Sequence, residues 1–304
     1  MRRAAVVVNP VKVDDVDEIR RDVCAVMAER GWAEPLWRET TTEDAGEGAA
    51  RHAVAEGVDV LFACGGDGTV MACVTALAGT GVPLGVLPVG TGNLLARNLG
   101  LPLDFRDALR IGLEGEDRRL DVGTFVVGGR ADEGRRFVVM AGIGFDAAMM
   151  ADAPERLKKL FGWPAYIVSG LKHLRDRGVA VEVRVDDAAP LRRLVQGIVI
   201  GNVGRLQAGV ALFPDAEPDD GKLDVAVLAP GGLGQWLQVL GRIATRGRRE
   251  DSRFERLRGR RVEIRTARAM PVQLDGDALD EATHVVVEVE PGALVVRVGP
   301  AQHR

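Results

Sequence analysis

Short apolar runs alternate with amphipathic segments through the first 120 residues, and this alternation is the strongest constraint on the fold of the chain. The apolar runs lie at residues 4–8, 35–37, 58–64 and 83–86, and helical periodicity covers residues 14–30 and 44–56. Strands that alternate with helices build a layered, mostly parallel sheet. The N-terminal part of the chain is therefore predicted to be an α/β domain.

The pattern changes near Leu120, where strand-like segments begin to follow one another with few helices between them. These segments lie at residues 121–127, 136–141, 179–185, 191–200, 223–228, 261–266, 284–289 and 294–298. Their alternation of apolar and polar residues is typical of antiparallel strands. Because 304 residues exceed one average domain, we expect a second, β-rich domain after Leu120.

The composition removes several classes of enzyme. The chain has two serines, four histidines and three cysteines, without a Gly-x-Ser-x-Gly, His-Glu-x-x-His or Cys-x-x-Cys sequence. Triad hydrolases and zinc sites therefore lack their usual residues. A net charge of −4 and 4% aromatic residues also argue against a nucleic-acid partner. Cys64 and Cys73 lie in apolar stretches, which predicts buried thiols and a cytoplasmic location.

One basic segment stands out against the acidic average. Residues 242–268 contain eleven arginines and four acidic residues, and residues 231–250 have the pattern of an amphipathic helix. Arginines near a membrane surface attract anionic head groups, so this segment is predicted to make peripheral contact with an anionic membrane at its cytoplasmic face. The alternative is that the apolar stripe belongs to a core. No apolar run approaches the roughly 18 residues that span a bilayer.

Two glycine-rich loops carry the clearest functional signal. Gly65-Gly66-Asp67-Gly68-Thr69 follows a buried strand and precedes a helix expected to begin near Val70, and Gly90-Thr91-Gly92-Asn93 repeats that arrangement. Glycines let backbone N–H groups approach an anion, and a helix N-terminus adds a positive dipole. An aspartate at position 67 would repel phosphate unless it holds a metal or organises a nucleotide. A plain Asp-Gly turn is the alternative.

Seven motifs, in this order, resemble the successive blocks of the diacylglycerol kinase catalytic family, especially its bacterial soluble lipid kinases. They are Asn9-Pro10, Gly65-Gly66-Asp67-Gly68-Thr69, Pro88-Val89-Gly90-Thr91-Gly92-Asn93, Leu120-Asp121-Val122-Gly123, Gly142-Ile143-Gly144-Phe145-Asp146-Ala147, Asp219-Asp220-Gly221-Lys222-Leu223-Asp224-Val225 and Leu274-Asp275-Gly276-Asp277. The resemblance implies ATP-dependent phosphorylation of a lipid hydroxyl. It also implies a cleft between an α/β nucleotide-binding domain (residues 1–121 with 292–304) and a β-sandwich domain (residues 122–291).

The resemblance assigns roles to individual residues. ATP would be held by Asn9, Thr42, Gly65, Gly66, Asp67, Gly68, Thr69, Thr91, Gly92 and Asn93, with Thr42 as one of three registers in Thr40-Thr41-Thr42. Asp277 would accept the hydroxyl proton where the family has a glutamate, with Asp67 as the second catalytic residue. A structural Mg²⁺ would be bound by the Asp220 side chain and the backbone carbonyls of Glu217 and Lys222. From the residues alone, both Asp-rich motifs could instead be solvated turns.

The chain departs from the family at the nucleotide loops. Val70-Met71-Ala72 stands where the family has an x-Asn-Glu stretch, and Leu94-Leu95 replaces an Asp-Phe pair. Two alternatives stay open. The first is an NAD kinase, which shares the Gly-Gly-Asp-Gly-Thr loop, although the Gly-Thr-Gly-Asn and Leu-Asp-Gly-Asp motifs argue against it. The second is a lipid or nucleotide sensor with weak catalysis, which would account for the lost polar residues. The sequence leaves open which lipid is the substrate and whether the protein forms the homodimer that is common in similar enzymes.

Overall fold

The computed structural model describes residues 1–129, 134–144, 178–205, 211–229, 254–275 and 277–300. The chain divides into two compact units, one made of Met1–Val122 with Pro291–Arg304 and the other of Gly123–Glu290. Among the described residues, no helix is both long enough and apolar enough to cross a membrane. The predicted amphipathic helix at residues 231–250 lies outside the described residues.

The first unit is built on a parallel sheet. Its strands are β1 (Ala4–Val8), β2 (Leu36–Glu39), β3 (Val60–Gly65), β4 (Leu84–Pro88) and the end of the long strand β14 (Asp277–Val298), in the order β14-β4-β3-β1-β2. Every residue of β1, β3 and β4 is buried. Strands covered on both faces are expected to read as continuous apolar runs, which is the pattern in the sequence.

Five helices belong to this unit, and in three of them an aspartate shortly before the helix accepts hydrogen bonds from backbone N–H groups at its start. The helices are α1 (Val16–Glu29), α2 (Glu47–Ala55), α3 (Asp67–Leu77), α4 (Leu94–Asn98) and α5 (Phe105–Glu114). Asp15 and Asp104 cap α1 and α5 by accepting backbone N–H groups three residues later. The Asp44 carboxylate accepts the N–H groups of Gly46, Gly48 and Ala49 at the start of α2.

The core of the first unit closes around Phe62 of β3, whose side chain is fully buried. Two glycines border its ring. A Cβ atom would lie 2.5 Å from the ring at Gly85 of β4 and 2.1 Å from it at Gly112 of α5. The ring therefore occupies the volume that side chains at these two positions would need.

The second unit is an antiparallel β-sandwich. Its strands are β5 (Glu116–Val127, which begins in the first unit), β6 (Arg135–Phe137), β7 (Met140–Gly144), β8 (Val179–Val185), β9 (Leu191–Val195), β10 (Gly197–Gly201), β11 (Leu223–Leu228), β12 (Phe254–Gly259), β13 (Arg261–Leu274) and the first part of β14. β13 pairs first with β8 and later with β7. Its pairing with β14 has register shifts between Arg265 and Val272. The predicted class, α/β followed by antiparallel β, is confirmed.

Several elements differ from the sequence prediction. α5 and β12 were not predicted, and α3 begins three residues before Val70. Residues 136–141 and 191–200 each form parts of two strands rather than one, while residues 284–289 and 294–298 belong to the single strand β14. Gly292 allows this continuity, because it adopts φ +59° and donates its N–H to the buried Asp121 carboxylate at 2.8 Å.

Candidate active site

The first glycine loop lies at the carboxyl end of β3. β3 ends at Gly65, Gly66 is the N-cap residue of α3, and no side chain caps this helix. Gly65 has no room for a side chain, because a Cβ atom there would lie 2.5 Å from the buried Thr69. The backbone N–H groups at the start of α3 are thus placed as an anion site requires.

Asn9, directly after β1, joins this loop. Its Nδ2 atom donates to the Thr69 hydroxyl at 3.4 Å, and its Oδ1 atom accepts the Val11 N–H at 3.0 Å. Its own backbone N–H donates to the Cys64 carbonyl at 2.9 Å. The structure therefore brings together Asn9 and Thr69, two of the residues that the sequence assigns to nucleotide binding.

The second glycine loop follows β4, the parallel neighbour of β3. Asn93 is buried in the left-handed conformation with φ 48°. Its amide turns back on its own loop, where Oδ1 accepts the Gly90 N–H at 3.1 Å and Nδ2 donates to the Gly90 carbonyl at 2.8 Å. Asn93 shapes the loop in this structure, and its predicted contact with nucleotide stays a prediction.

The two glycine loops touch each other. A Cβ atom at Gly90 would lie 2.6 Å from the Cα atom of Gly66. The Asp67 carboxylate of the first loop accepts the backbone N–H of Leu94, at the start of α4, at 2.7 Å. Gly68 and Thr91 remain exposed, so both loops present residues to solvent.

One basic residue beside the second loop was missed by the sequence analysis. The exposed Arg97 of α4 donates from Nε to the Gly92 carbonyl at 2.9 Å. Its guanidinium thereby adds a positive charge next to Thr91 and Gly92. The only signal in the sequence was an arginine four residues after Asn93, which is too common a feature to single out.

Thr42 is placed differently from the glycine loops. It is exposed, and its hydroxyl donates to the Glu43 carboxylate at 2.7 Å. Among the described residues no hydrogen bond joins it to either loop. Two positions further on, the pKa of Asp44 is lowered. Burial alone would raise this pKa, but hydrogen bonds from four backbone N–H groups at the start of α2 outweigh burial. The assignment of Thr42 to ATP stays a prediction.

In the second unit, the aspartates of the Asp-Gly-Asp motif have different surroundings. Asp275 adopts φ 48°, and its carboxylate accepts the backbone N–H groups of Val138, Val139 and Met140 at 2.7–3.0 Å. Asp277, the first residue of β14, is exposed. Asp275 is therefore a structural residue, and Asp277 has the accessible carboxylate that a proton acceptor needs.

The predicted magnesium ligands form a turn before β11. Asp220 accepts the backbone N–H of Lys222 at 2.9 Å and pairs with the Arg258 guanidinium. Burial raises the pKa of Asp224 to about 6, and the Asp220 and Asp215 charges add to the rise against the opposing charges of Arg258 and Arg256.

The oxygen atoms of this turn are of the kind that a hard cation prefers. Each carboxylate oxygen has two lone pairs, so Asp220 keeps acceptor capacity, and carboxylate and carbonyl oxygens are the ligands that Mg²⁺ prefers. No group of three or more His, Cys, Asp or Glu residues with metal-binding geometry occurs in the described part of the chain. A cation here would therefore rest on Asp220, carbonyls and water, and this set stays a prediction.

Comparison with known proteins decides the family. Residues 3–125 match the model of the diacylglycerol kinase catalytic domain, and residues 137–298 match that of the YegS C-terminal NAD kinase beta sandwich-like domain. The chain is 34% identical to a Pseudomonas aeruginosa protein named "Probable lipid kinase YegS-like", over 93% of this chain and 90% of that protein. The chain belongs to this lipid kinase family.

Further comparisons give a second relative and two solved structures of similar fold. A Bacillus subtilis protein named diacylglycerol kinase is 29% identical to this chain, over 91% of this chain and 90% of that protein. A diacylglycerol kinase structure from Bacillus anthracis has a TM-score of 0.76 at 21% identity, covering 98% of this chain and 97% of that one. An NAD kinase from Archaeoglobus fulgidus in complex with ATP has a TM-score of 0.52 at 14% identity, covering 98% and 94%. The last two comparisons show the shared fold.

The chain carries apolar residues where the family resemblance predicts polar ones. Leu94 is buried with 4% exposure, and Met71 and Ala72 of α3 are half-buried. Ala72 faces the start of α2, where its Cβ atom lies 3.9 Å from the position that a Cβ atom would take at Gly46. The buried Leu94 therefore packs within the first unit.

Proposed function

We propose that this protein is an ATP-dependent kinase that transfers the γ-phosphate of ATP to a lipid hydroxyl, with diacylglycerol as the first acceptor to test. One observation carries the proposal, namely that the two glycine loops follow neighbouring parallel strands and meet at Gly66 and Gly90. Ligands of such sheets bind at the carboxyl ends of the strands, and the start of α3 is suited to phosphate. The name of the Bacillus subtilis relative supports diacylglycerol as the acceptor.

The chemistry requires positioning and charge neutralisation more than covalent help from the protein. The substrate is the complex of ATP with Mg²⁺. The backbone N–H groups of the first glycine loop bind the ATP phosphates. The lipid hydroxyl oxygen forms a bond to the γ-phosphorus while the bond to the β–γ bridging oxygen breaks and ADP leaves. The hydroxyl proton passes to the exposed Asp277 carboxylate. At Asp220, a structural Mg²⁺ would neutralise the surplus acid charge of the turn.

The direct test is transfer of labelled γ-phosphate from ATP and Mg²⁺ to acceptors in mixed micelles. The acceptors are diacylglycerol, phosphatidylglycerol, a sphingoid base, ceramide and a polyprenol, with NAD in a parallel reaction. Asp277→Ala serves as the inactive variant, and Asp280→Ala is its matched control because Asp280 is also an exposed aspartate of β14. We expect one lipid to be labelled by the wild type and Asp280→Ala and to stay unlabelled with Asp277→Ala.

Two other outcomes would favour the alternative functions. Label in NAD with none in lipid would contradict the proposal and support an NAD kinase, whose fold this chain shares. Lipid and ATP binding without turnover would support a sensor, which the apolar Met71, Ala72 and Leu94 favour.

We also propose that the arginines of residues 242–249 make peripheral contact with an anionic membrane. Several arginines further along the basic segment are already engaged, since Arg258 pairs with Asp220 and Arg265 pairs with Glu263. The test compares reversal of Arg246, Arg248 and Arg249 to glutamate with the same reversal of the exposed Arg21, Arg51 and Arg110. Binding to phosphatidylglycerol vesicles should fall only in the first variant, and equal binding by both would refute the contact.

A further inference from the structure

Asp67 forms a link between the two glycine loops. Its Oδ1 atom accepts the backbone N–H of Leu94 at 2.7 Å, across 27 positions of the chain. A carboxylate acceptor makes this bond stronger than one between neutral groups. Among the described residues, no hydrogen bond or ion pair involves the Oδ2 atom. One carboxylate oxygen of Asp67 therefore forms the link, and the other stays available to a ligand.

The link supplies a cap that α4 does not make for itself. Asn93 is the N-cap residue of α4, and its side chain forms no capping bond because its amide is engaged with Gly90. The N–H groups of a first helical turn have no partners within the helix. Asp67 therefore satisfies the N–H of Leu94 from the opposite loop.

A second contact fixes the same pair of loops. Gly90 approaches Gly66 so closely that a Cβ atom on Gly90 would lie 2.6 Å from the Gly66 Cα atom. A side chain at this position would force the backbones of the two loops apart, because real Cβ atoms do not approach so closely. The hydrogen bond and the glycine contact thus hold the loops in one arrangement.

We propose that Asp67 is a positioning residue, whose Oδ1 atom holds the Gly90–Asn93 loop in register with the Gly65–Gly68 loop so that both can bind one nucleotide. This inference rests on the proposed function, because it needs ATP as the ligand of the two loops. It explains why an aspartate stands in a loop suited to anions. The carboxylate is needed as an acceptor for the Leu94 N–H, whatever its second oxygen does.

The test separates the acceptor from the charge with two substitutions. Asp67→Asn keeps an oxygen that can accept the Leu94 N–H, and Asp67→Ala removes it. The matched control is Asp104→Ala, which deletes another aspartate that accepts a backbone N–H at a helix start in the same unit. For each variant, calorimetric titration measures the Kd for ATP, and hydrogen–deuterium exchange measures protection of the Leu94 amide.

We expect Asp67→Ala to weaken ATP binding roughly tenfold or more, the effect of losing a hydrogen bond to a charged group, and to speed exchange at Leu94. Asp67→Asn should recover most of both, and Asp104→Ala should leave both unchanged. Equal losses in Asp67→Asn and Asp67→Ala would overturn the proposal, since charge would then be the requirement. Unchanged exchange at Leu94 in Asp67→Ala would also overturn it.

A second variant keeps the test independent of Asp67 chemistry. Gly90→Ala retains the aspartate but disturbs the contact with Gly66, so we expect weaker ATP binding with a folded protein in thermal unfolding. Unchanged ATP affinity in Gly90→Ala would contradict the fixed register. If the wild type itself fails to bind ATP while Asp67→Ala still speeds exchange at Leu94, the proposed function fails, and the nucleotide role of the link fails with it although the link exists.

Discussion

Asp275 and Met140 hydrogen-bond each other in both directions. The Asp275 backbone N–H donates to the Met140 carbonyl at 2.8 Å, and the Met140 N–H donates to Asp275 Oδ1 at 2.7 Å. Val138 and Val139 add two further N–H donors to the same carboxylate. The first aspartate of the Asp-Gly-Asp motif therefore belongs to the framework of the second unit.

Asp275→Ala should destabilise the protein by about 3 kcal/mol, because it leaves backbone N–H groups without their charged acceptor. Asp277→Ala changes an exposed side chain and should alter the free energy of unfolding by no more than about 0.5 kcal/mol. Urea unfolding of the two variants beside the wild type measures the difference. Equal stabilities of the two variants would contradict the separation of roles within the motif.

The length of the side chain at position 277 should matter less than its ability to accept a proton. Asp277→Asn removes the proposed base and should lower kcat about 100- to 10,000-fold, with little change in KM for ATP. Asp277→Glu introduces the glutamate that the family resemblance implies at this position and should stay within about tenfold of the wild type. Initial-rate kinetics of both variants with the identified lipid test this, and an active Asp277→Asn enzyme would exclude Asp277 as the base.

Glu290 should make stability depend on pH in the acid range. Burial alone would raise its pKa, but hydrogen bonds from Arg136 and Thr124 and the charge of Arg136 lower the pKa overall. A pKa lower in the folded state than the roughly 4.3 of an unfolded glutamate stabilises the protein above that value. This stabilisation is lost as the pH falls through the folded pKa.

The measurement is urea unfolding of the wild type and Glu290→Gln between pH 3 and 7. At pH 7 the wild type should be more stable by about 1 kcal/mol, the effect of one hydrogen-bonded pair, and the difference should shrink below about pH 4.3. Glu281→Gln, at an exposed position of β14, is the control. A difference that grows on acidification would contradict the lowered pKa.

The three cysteines should differ in reactivity. All three are free thiols, and Cys64 and Cys73 are buried while Cys24 is partly exposed. Burial raises the pKa of Cys64 to about 12. It also raises the pKa of Cys73, to which the charge of Asp44 adds.

Because the thiolate is the reactive form, Ellman's reagent at pH 8 should titrate one thiol per native chain and three after denaturation. Cys24→Ser should abolish the native reaction. Rapid reaction of two or more thiols in the native protein would contradict the burial of Cys64 and Cys73.

Gly112→Ala in α5 should destabilise the protein, although alanine is more favourable than glycine within a helix by about 0.8–1 kcal/mol. Its Cβ atom would lie 2.1 Å from the Phe62 ring, and overpacking of a filled core costs about 1–3 kcal/mol. The net loss should be about 1 kcal/mol in urea unfolding. In a Phe62→Leu background the same substitution should cost less, and an equal cost in both backgrounds would rule out the contact as the cause.

The sequence by itself predicted the α/β and antiparallel β classes and the strand–loop–helix setting of both glycine motifs. It could do so because buried parallel strands are continuous apolar runs and because glycines and caps act on their immediate neighbours. α5 and β12 were missed. In β12, Phe254–Gly259, three of six residues are charged. Its pairing with β11 is a long-range contact, which its own sequence pattern cannot predict.

The tertiary structure decided which residue of each motif faces the protein and which faces solvent. Residue type and spacing could not show that Asp67 accepts the N–H of Leu94, that Asn93 turns inward, or that Asp275 holds backbone N–H groups while Asp277 is exposed. Each of these facts depends on a donor 27 or more positions away or on a left-handed residue in a turn. The sequence therefore predicted where the candidate site lies along the chain, and the tertiary structure showed that the carboxylates of Asp67 and Asp275 accept long-range backbone hydrogen bonds.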